Sequence, residues 1–277
     1  MATAKDIILK PVPAKQANEL VKRVHYSGKV VQNSQIHIGV FLRGKLEGAM
    51  QFGPSLDKRK IMGLVDKTGW NEFIELNRMA FTDALPRNSE SRAISIAMKL
   101  LRKHAPQLKW VVSFADACQC GDGTIYRASG FVLTGIKRND RLINLPTGEV
   151  VNYLTFDMSG GFGDFDALDK SKSVSLKRRE MLASGYQKTK DYLDYKYPGW
   201  HPIPGYQLRY IYFIDPAYRP RLTVLEIPFN RIAEVGANMY KGHAPDKGNH
   251  PDQGQGGGAI PTQALHPSPI ATGGTHD

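Results

Sequence analysis

Asp116 and Tyr126 stand ten residues apart in the run from Asp116 to Phe131, "DACQCGDGTIYRASGF". A carboxylate can accept a proton or hold a metal, and a phenol can donate a proton. The run begins where an apolar segment, "WVVSF", ends. As a strand, that segment delivers Ser113 and Asp116 to its C-terminal end, the edge at which open α/β sheets bind ligands. A loop turning through Gly121 and Gly123 then leads into a short helix bearing Tyr126. If the loop folds back, Asp116 and Tyr126 return to one cleft. Both cysteines of the chain, Cys118 and Cys120, lie in the same run. Their C-x-C spacing is too short for the C-x-x-C of redox or zinc motifs, and no second pair exists to complete a structural zinc site. Two ordinary thiols in a loop account for them.

Other element ends carry reactive side chains. His25 and Tyr26 close the first helical pattern, where His can act as a base or metal ligand or be a satisfied structural residue. Arg78 interrupts the apolar run "ELNRMAF". A charge there needs a partner or a ligand, either an ion pair with Glu75 or Asp83 or a functional role. A helix after Pro86 opens with "RNSES". Asn88 or Ser89 can cap it, and its free N–H groups with Arg87 and Arg92 nearby could hold a phosphate or other anion; an ordinary capped helix reads equally well.

The elements that must position these residues follow from periodicity. "DIILKPV" reads as a strand and "AKQANELVKRV" as a helix capped near Gly28. "IHIGVFLRGKLEGAMQFG" is a hairpin about Arg43, Gly44 and Lys45, and "FIELNRMAF" is a strand. "NSESRAISIAMKLLRKH" is a helix, "LKWVVSF" a buried strand, and "GTIYRASG" a short helix closed by Gly130. "FVLTGIKR" and "EVVNYLTFDM" are further strands. This order predicts a mixed α/β sheet flanked by helices, in a core spanning 1–160. Then "SLKRREMLASGYQKTKDYLDY" reads as one basic helix, and "LRYIYFI" and "LTVLEIPF" as two late strands, in a basic extension of 161–240 packing on the core. From Lys241 the chain is rich in Gly and Pro and poor in large apolar residues, so 241–277 is expected to be disordered. Its four histidines read as incidental.

The 277 residues carry a net charge of +11. Residues 170–221 hold eleven Lys or Arg against four acids, so +7 of that charge falls there, beside eight of the twelve tyrosines and Trp200. Cations interleaved with aromatics suit a polyanion with stackable bases; a solvated basic face over core tyrosines is the alternative. The start of the chain does not read as a signal peptide. No run approaches the ~18 apolar residues of a membrane helix, so no membrane partner is expected.

The order of elements, with "TIYRASGF" similar to an A-x-x-x-Y-x-x-x-G-F helix, resembles the GNAT N-acyltransferase superfamily. In that superfamily a glycine-rich loop holds coenzyme A; here the matching place reads "RNSESRA", without glycine. More closely, "VHYSG", "ELNRMAF", "NSESRAIS" and "VVSFADACQCGDGTIYRASGF" resemble the Mom family of phage DNA-modification proteins. That resemblance implies a GNAT-like enzyme adding an acetamido (carbamoylmethyl) type group to N6 of adenine in double-stranded DNA. It would act in the cytoplasm of the bacterial host cell and shield phage DNA from restriction. It implies His25, Tyr26, Arg78, Asp116 and Tyr126 as catalytic candidates and adds Ser91 to Arg87, Ser89 and Arg92 at the cofactor. It also implies iron, which His25 and Asp116 would hold rather than the cysteines. Relatives show G-H-x-G before the Ile-Tyr; this chain has Gly121, Asp122 and Gly123. The donor is expected to be acetyl-CoA or an aminoacyl donor such as charged tRNA. DNA contacts are expected at Lys177, Arg178, Arg179, Lys188 and Lys190, and a homodimer is among the expected assemblies. Two rival classes remain: an N-acetyltransferase of a protein or small amine using acetyl-CoA, and a non-catalytic basic DNA-binding protein.

Overall fold

A computed structural model of the chain describes residues 2–25, 29–117, 121–139, 141–156 and 176–238. Strand β1 (Ile7–Pro11) leads into helix α1 (Ala14–Val24). Its apolar residues Ala17, Leu20 and Val21 recur at helical spacing and are buried. Strands β2 (Ile36–Leu42) and β3 (Lys45–Gly53) form the expected hairpin. Its two-residue turn holds Arg43 at φ 50° and Gly44 at φ 80°, the left-handed pair that matches strand twist. Then come α2 (Lys58–Met62), β4 (Phe73–Phe81), α3 (Ser89–His104), β5 (Trp110–Asp116), α4 (Thr124–Ala128) and β6 (Val132–Arg138). A second group follows: β7 (Leu142–Asn144), β8 (Val150–Asn152), α5 (Leu176–Ala183), α6 (Thr189–Lys196) and β9 (His201–Pro202). Finally β10 (Tyr206–Phe213) and α7 (Asn230–Glu234) complete the order.

The main sheet runs β1-β2-β3-β4-β5-β10-β6. Strands β4 and β5 are parallel; the pairs β1–β2, β2–β3, β3–β4 and β5–β10 are antiparallel. This is the mixed α/β sheet with flanking helices that the periodicity predicts. Alternation sorts its side chains. Met50, Leu76, Val111 and Ala115 pack with α3 residues Ile94, Ala97 and Leu101 on one face. On the other, Ala49 meets Ala17 and Leu20 of α1. Phe73, Trp110 and Val112 pack there against Ile61, Leu64 and Val65. Phe73 and Trp110 stack with centroids 4.5 Å apart.

Two compact units result. Of the described residues, the first holds those of 2–137 and 206–238, and the second those of Arg138–Gly205. The expected boundary near residue 160 is thus displaced, because β10 returns to the main sheet between β5 and β6 and takes 206–238 with it. The second unit has a sheet β8-β7-β9 and a small core of Ile143, Leu145, Phe156, Met181, Tyr192 and Leu193.

Three element expectations change. The single basic helix is two, because Gly185 at φ 82° ends α5. Gly185 N–H donates to Leu182 O and Tyr186 N–H to Met181 O, a Schellman closure. "LTVLEIPF" forms only the isolated bridge Val65–Leu222, with Leu225 turned out to solvent. "EVVNYLTFDM" is a strand for three residues before a 3-10 turn, Tyr153–Thr155. The expected disordered tail and the Gly28 cap lie outside the described residues.

Candidate functional site

The parallel ladder between β4 and β5 runs from the Phe73–Trp110 pair to the Leu76–Ser113 pair. Both strands continue past it, to Phe81 and Asp116. Over that continuation Asn77 to Phe81 and Phe114 to Asp116 share no ladder. The C-terminal ends of two parallel strands thus part company where α/β sheets place ligands. A bulge falls beside this point: Gln51 pairs with Arg78 and Phe52 with Leu76, leaving Asn77 as the extra residue. The bulge turns Arg78 to the α1 face, in line with Phe73 and Glu75.

Buried polar side chains gather on that face. His25 is 3% exposed, Glu75 2%, Arg78 6%, and Gln51 and Asp116 are wholly buried. His25 caps the C-terminus of α1, its N–H donating to Val21 O. Burial, and then the Arg78 guanidinium, depress its pKa to about 3, so its ring is neutral. Burial pushes the Glu75 carboxyl up to about 7, against a smaller opposing pull from Ser55 and Arg78. Arg78 Nε donates to Lys29 O at 3.0 Å and Nη1 to Asn77 O at 2.6 Å. Gln51 Nε2 donates to Asn18 Oδ1 at 2.8 Å and lies 3.0 Å from His37 Nδ1. Oε1 of Glu75 and Nδ2 of Asn77 are buried with no hydrogen-bond partner among the described residues.

Asp116 and Tyr126 do not share a face. Ala115 and Ala117 pack with the α3 side, so alternation sends Asp116 to the α1 side. Tyr126 is wholly buried on the α3 side, stacked on Tyr210 at 5.1 Å. Ser113 Oγ lies 2.9 Å from the Tyr126 hydroxyl and 3.1 Å from Leu76 O. Ser113 has one hydrogen and the carbonyl can only accept. A Ser113 that donates to it therefore takes the Tyr126 proton in return. Helix α4 is set by Gly123 at φ 73°, where a Cβ would sit 2.6 Å from the Tyr210 ring. Asp122 Oδ1 accepts from Thr124 N–H at 3.1 Å and Thr124 Oγ1 at 2.6 Å, so its carboxylate serves the turn.

At α3, Asn88 is the cap residue but sits at φ 66° without a side-chain cap bond. Ser89 is buried and donates to Pro86 O at 2.6 Å; Ser91 donates to Asn88 O at 3.2 Å. Asn88 thus takes the expected cap position, but neither its side chain nor the Ser89 hydroxyl supplies the expected cap bond. Arg87 and Arg92 are exposed at this end. In the basic segment, Lys177 pairs with Glu149 and Lys190 with Asp194. Arg178 Nη1 donates to Phe156 O at 2.5 Å. Arg179 and Lys188 are exposed. The segment's tyrosines largely form core: Tyr192 is buried, with Tyr186, Tyr197 and Trp200 packed around it.

Tyr26, Cys118 and Cys120 lie outside the described residues. Among the described residues no group of three or more His, Cys, Asp or Glu is placed to hold a metal. The guanidinium beside His25 also disfavours a cation there. The expected iron site of His25 and Asp116 therefore does not fit the described residues. Sequence reasoning passed over Gln51, His37 and Asn77, and took Glu75 only as a partner for Arg78. Single polar residues inside otherwise apolar strands, Glu75 and Asn77 on β4 and Gln51 on β3, were the available signal. No helix among the described residues is long and apolar enough to cross a membrane.

Among curated proteins, "Methylcarbamoylase mom" of Escherichia phage Mu is 40% identical to this chain over 133 residues. The match takes in 48% of this chain and 55% of that protein, about half the length of the relative. Among solved structures, a Bacillus subtilis acetyltransferase in complex with CoA is 10% identical. It covers 75% of this chain and 97% of its own, at a TM-score of 0.39. A GNAT-family acetyltransferase from Streptococcus pneumoniae is 15% identical, covering 48% and 88%, at a TM-score of 0.34. The model of the Mom protein family matches residues 6–231, from the first strand of the main sheet through the inserted unit and back to β10 and α7. With a match of that extent, the chain belongs to the Mom protein family.

Proposed function

We propose that the protein is a DNA-modifying transferase that adds an acetamido (carbamoylmethyl) type group to N6 of adenine in duplex DNA, and that the mark shields phage DNA from restriction. The family match over residues 6–231 carries this reading. The relative named methylcarbamoylase supports the chemistry. The buried polar set where β4 and β5 part supports the place. Orphaned buried polar atoms at Glu75 and Asn77 suit a ligand that brings its own donors and acceptors.

The adenine amino group is a weak nucleophile and lies within the base stack. The enzyme extrudes the base, at a cost of a few kcal/mol, and reads it in a pocket. N6 attacks the donor's acyl carbon and gives up a proton to the base, while that carbon's bond to the coenzyme A sulfur or the tRNA ribose oxygen breaks and the leaving atom takes up a proton. The first product is an N6-acyl adduct, and an aminoacetyl adduct has the same composition as a carbamoylmethyl group and reaches it by rearrangement. Asp116, buried at the end of β5, is the candidate base. Arg78 fixes the chain at Lys29 and brings positive charge to the same face. Ser113 and Tyr126 act from the opposite face as a hydrogen-bonded pair. Arg87, Ser91 and Arg92, at the exposed start of α3, are the candidate holders of the donor's anionic group. The donor is an acyl-coenzyme A or a charged tRNA. Arg179 and Lys188, exposed in the basic segment, would meet phosphates.

Nucleoside mass spectrometry of DNA from cells making the protein tests the reading. Modified adenosine is expected with the intact chain. Asp116→Ala and His25→Ala should each cut it by at least ~100-fold with DNA affinity preserved, and Tyr126→Phe, which removes the hydroxyl paired with Ser113 on the opposite face, should cut it less. The same DNA should resist restriction digestion only where the mark is present. Unmodified adenosine in cells making folded, intact protein would overturn the assignment.

A further inference from the structure

The positive charge of the basic segment is mostly committed. Lys177, Lys190, Lys196 and Arg219 are ion-paired, and Arg178 and Arg209 bond carbonyl oxygens. The surface around α2 is different. Lys58, Arg59 and Lys60 follow one another in the helix, and Lys67 follows in the next turn. None of the four makes an ion pair among the described residues, and all but the half-buried Lys58 are exposed. Lys58 Nζ sits 4.4 Å above the ring of Trp70, which is 52% exposed. Lys67 holds φ 52°, a left-handed position where glycine or asparagine would be relaxed.

This surface is firmly mounted. Ile61, Leu64 and Val65 are buried against Phe73 and Trp110. Trp110 Nε1 donates to Thr68 Oγ1 at 3.2 Å, and Thr68 Oγ1 to Val65 O at 2.6 Å. The Val65–Leu222 bridge brings Arg221 alongside, where its Nε donates to Asp66 O at 2.7 Å. Little loop order remains to be imposed on binding; the cost left is that of fixing the long cationic side chains.

We propose that the α2 surface of Lys58, Arg59, Lys60, Lys67 and Trp70 is a duplex-DNA contact, which seats the phosphate backbone beside the candidate site. This deepens the proposed function and rests on it. The geometry joins the two places. Lys58 also lies 5.8 Å from the ring of Phe73, and Phe73, Glu75 and Arg78 follow one another on the same face of β4. Five residues of strand span roughly 16 Å, less than one turn of B-DNA at about 34–36 Å. A duplex resting on α2 therefore keeps an extruded base within reach of the polar set.

The test is binding of a fluorescent duplex oligonucleotide across a salt series, beside nucleoside mass spectrometry. Lys58→Ala with Arg59→Ala and Lys60→Ala should weaken binding at least ~10-fold at ~0.15 M salt. The slope of log K against log salt should flatten by about 0.9 for each phosphate that the variant leaves unneutralised. Trp70→Ala should weaken binding at every salt concentration with the slope kept. Lys99→Ala with Lys103→Ala, two exposed α3 lysines, should change the slope little. An unchanged slope in the α2 variant, or an equal weakening in the α3 variant, overturns the DNA surface. So does tighter binding of tRNA than of duplex DNA with the same dependence on α2. Patch-dependent DNA binding without any modified adenosine would sink the enzyme reading and leave the DNA surface standing. Full modification by the α2 variant at low DNA concentration would do the reverse.

Discussion

Glu75 and His25 oppose each other in their response to pH. Burial keeps the Glu75 carboxyl protonated up to about 7 in the folded chain, against an ordinary value of 4.5. The folded state therefore binds the proton more tightly. Its contribution to stability is full below about 4.5 and is lost as pH rises through about 7. His25 falls from 6.5 to about 3, so its neutral form is favoured by folding at the expense of the charged one. That imposes a loss of stability as pH falls from about 6.5 toward 3. Each shift amounts to roughly 3–5 kcal/mol. Glu75→Gln should abolish the decline on the neutral side and leave the acid side alone. Urea midpoints measured from pH 4 to pH 8 check this; a variant that keeps the full decline above pH 5 rules out Glu75 as its source. These two residues also mark how legible the site was. His25, Arg78 and Asp116 stand out in the sequence because each is a charge-bearing group at the end or middle of an apolar element. The separation of Asp116 from Tyr126 was not legible: strand alternation sends Ser113 and Asp116 opposite ways, but only the Ser113–Tyr126 contact shows which side Tyr126 takes. The depth of Glu75 was not, because it depends on what the neighbouring strands and loops lay over it.

Short elements carry the geometry of α4 and the hairpin. Gly123 is needed twice: for φ 73° and because a Cβ would meet the Tyr210 ring at 2.6 Å and its hydroxyl at 3.0 Å. Gly44 at φ 80° has nothing within 4 Å of that position. Gly44→Ala should therefore cost only the backbone term, about 1–2 kcal/mol. Gly123→Ala should cost at least ~2 kcal/mol more and should perturb Tyr126, which the displaced Tyr210 ring stacks upon. Chemical denaturation with tyrosine fluorescence compares the two; equal losses would mean that Tyr210 gives way freely. At this scale sequence patterning served well for α1, β4 and α3, whose apolar residues repeat over several turns or strand pairs. It missed α2, five residues long and mostly charged, which has no period to detect. It merged α5 and α6 because Gly185 sits in a run of good helix formers, and only its left-handed backbone shows the stop.

On the scale of the molecule, Arg138–Gly205 is an insertion between two strands of the main sheet. Its ends are tied: Asn139 N–H donates to Gly205 O at 2.7 Å, just beyond β6 and just before β10. Replacing residues 140–204 by a two-residue turn should leave the first unit folded, with strand and helix signals retained and one cooperative transition. A product without cooperative unfolding would show that the first unit depends on the insertion. Nothing in the sequence announced this arrangement, because a strand reading of "LRYIYFI" does not say which neighbours it will find. Strand β10 lies inside the sheet, between β5 and β6, yet it is the last strand of that sheet to be made. At roughly 5–20 residues per second, synthesis of the insertion and β10 occupies on the order of ten seconds after β6 is complete. For that interval the nascent chain holds two bare strand edges beside an apolar surface. The protein is thus born with its most aggregation-prone moment written into the order of its elements. A chain stopped just before Tyr206 should accumulate as insoluble material, while one stopped after α7 should not.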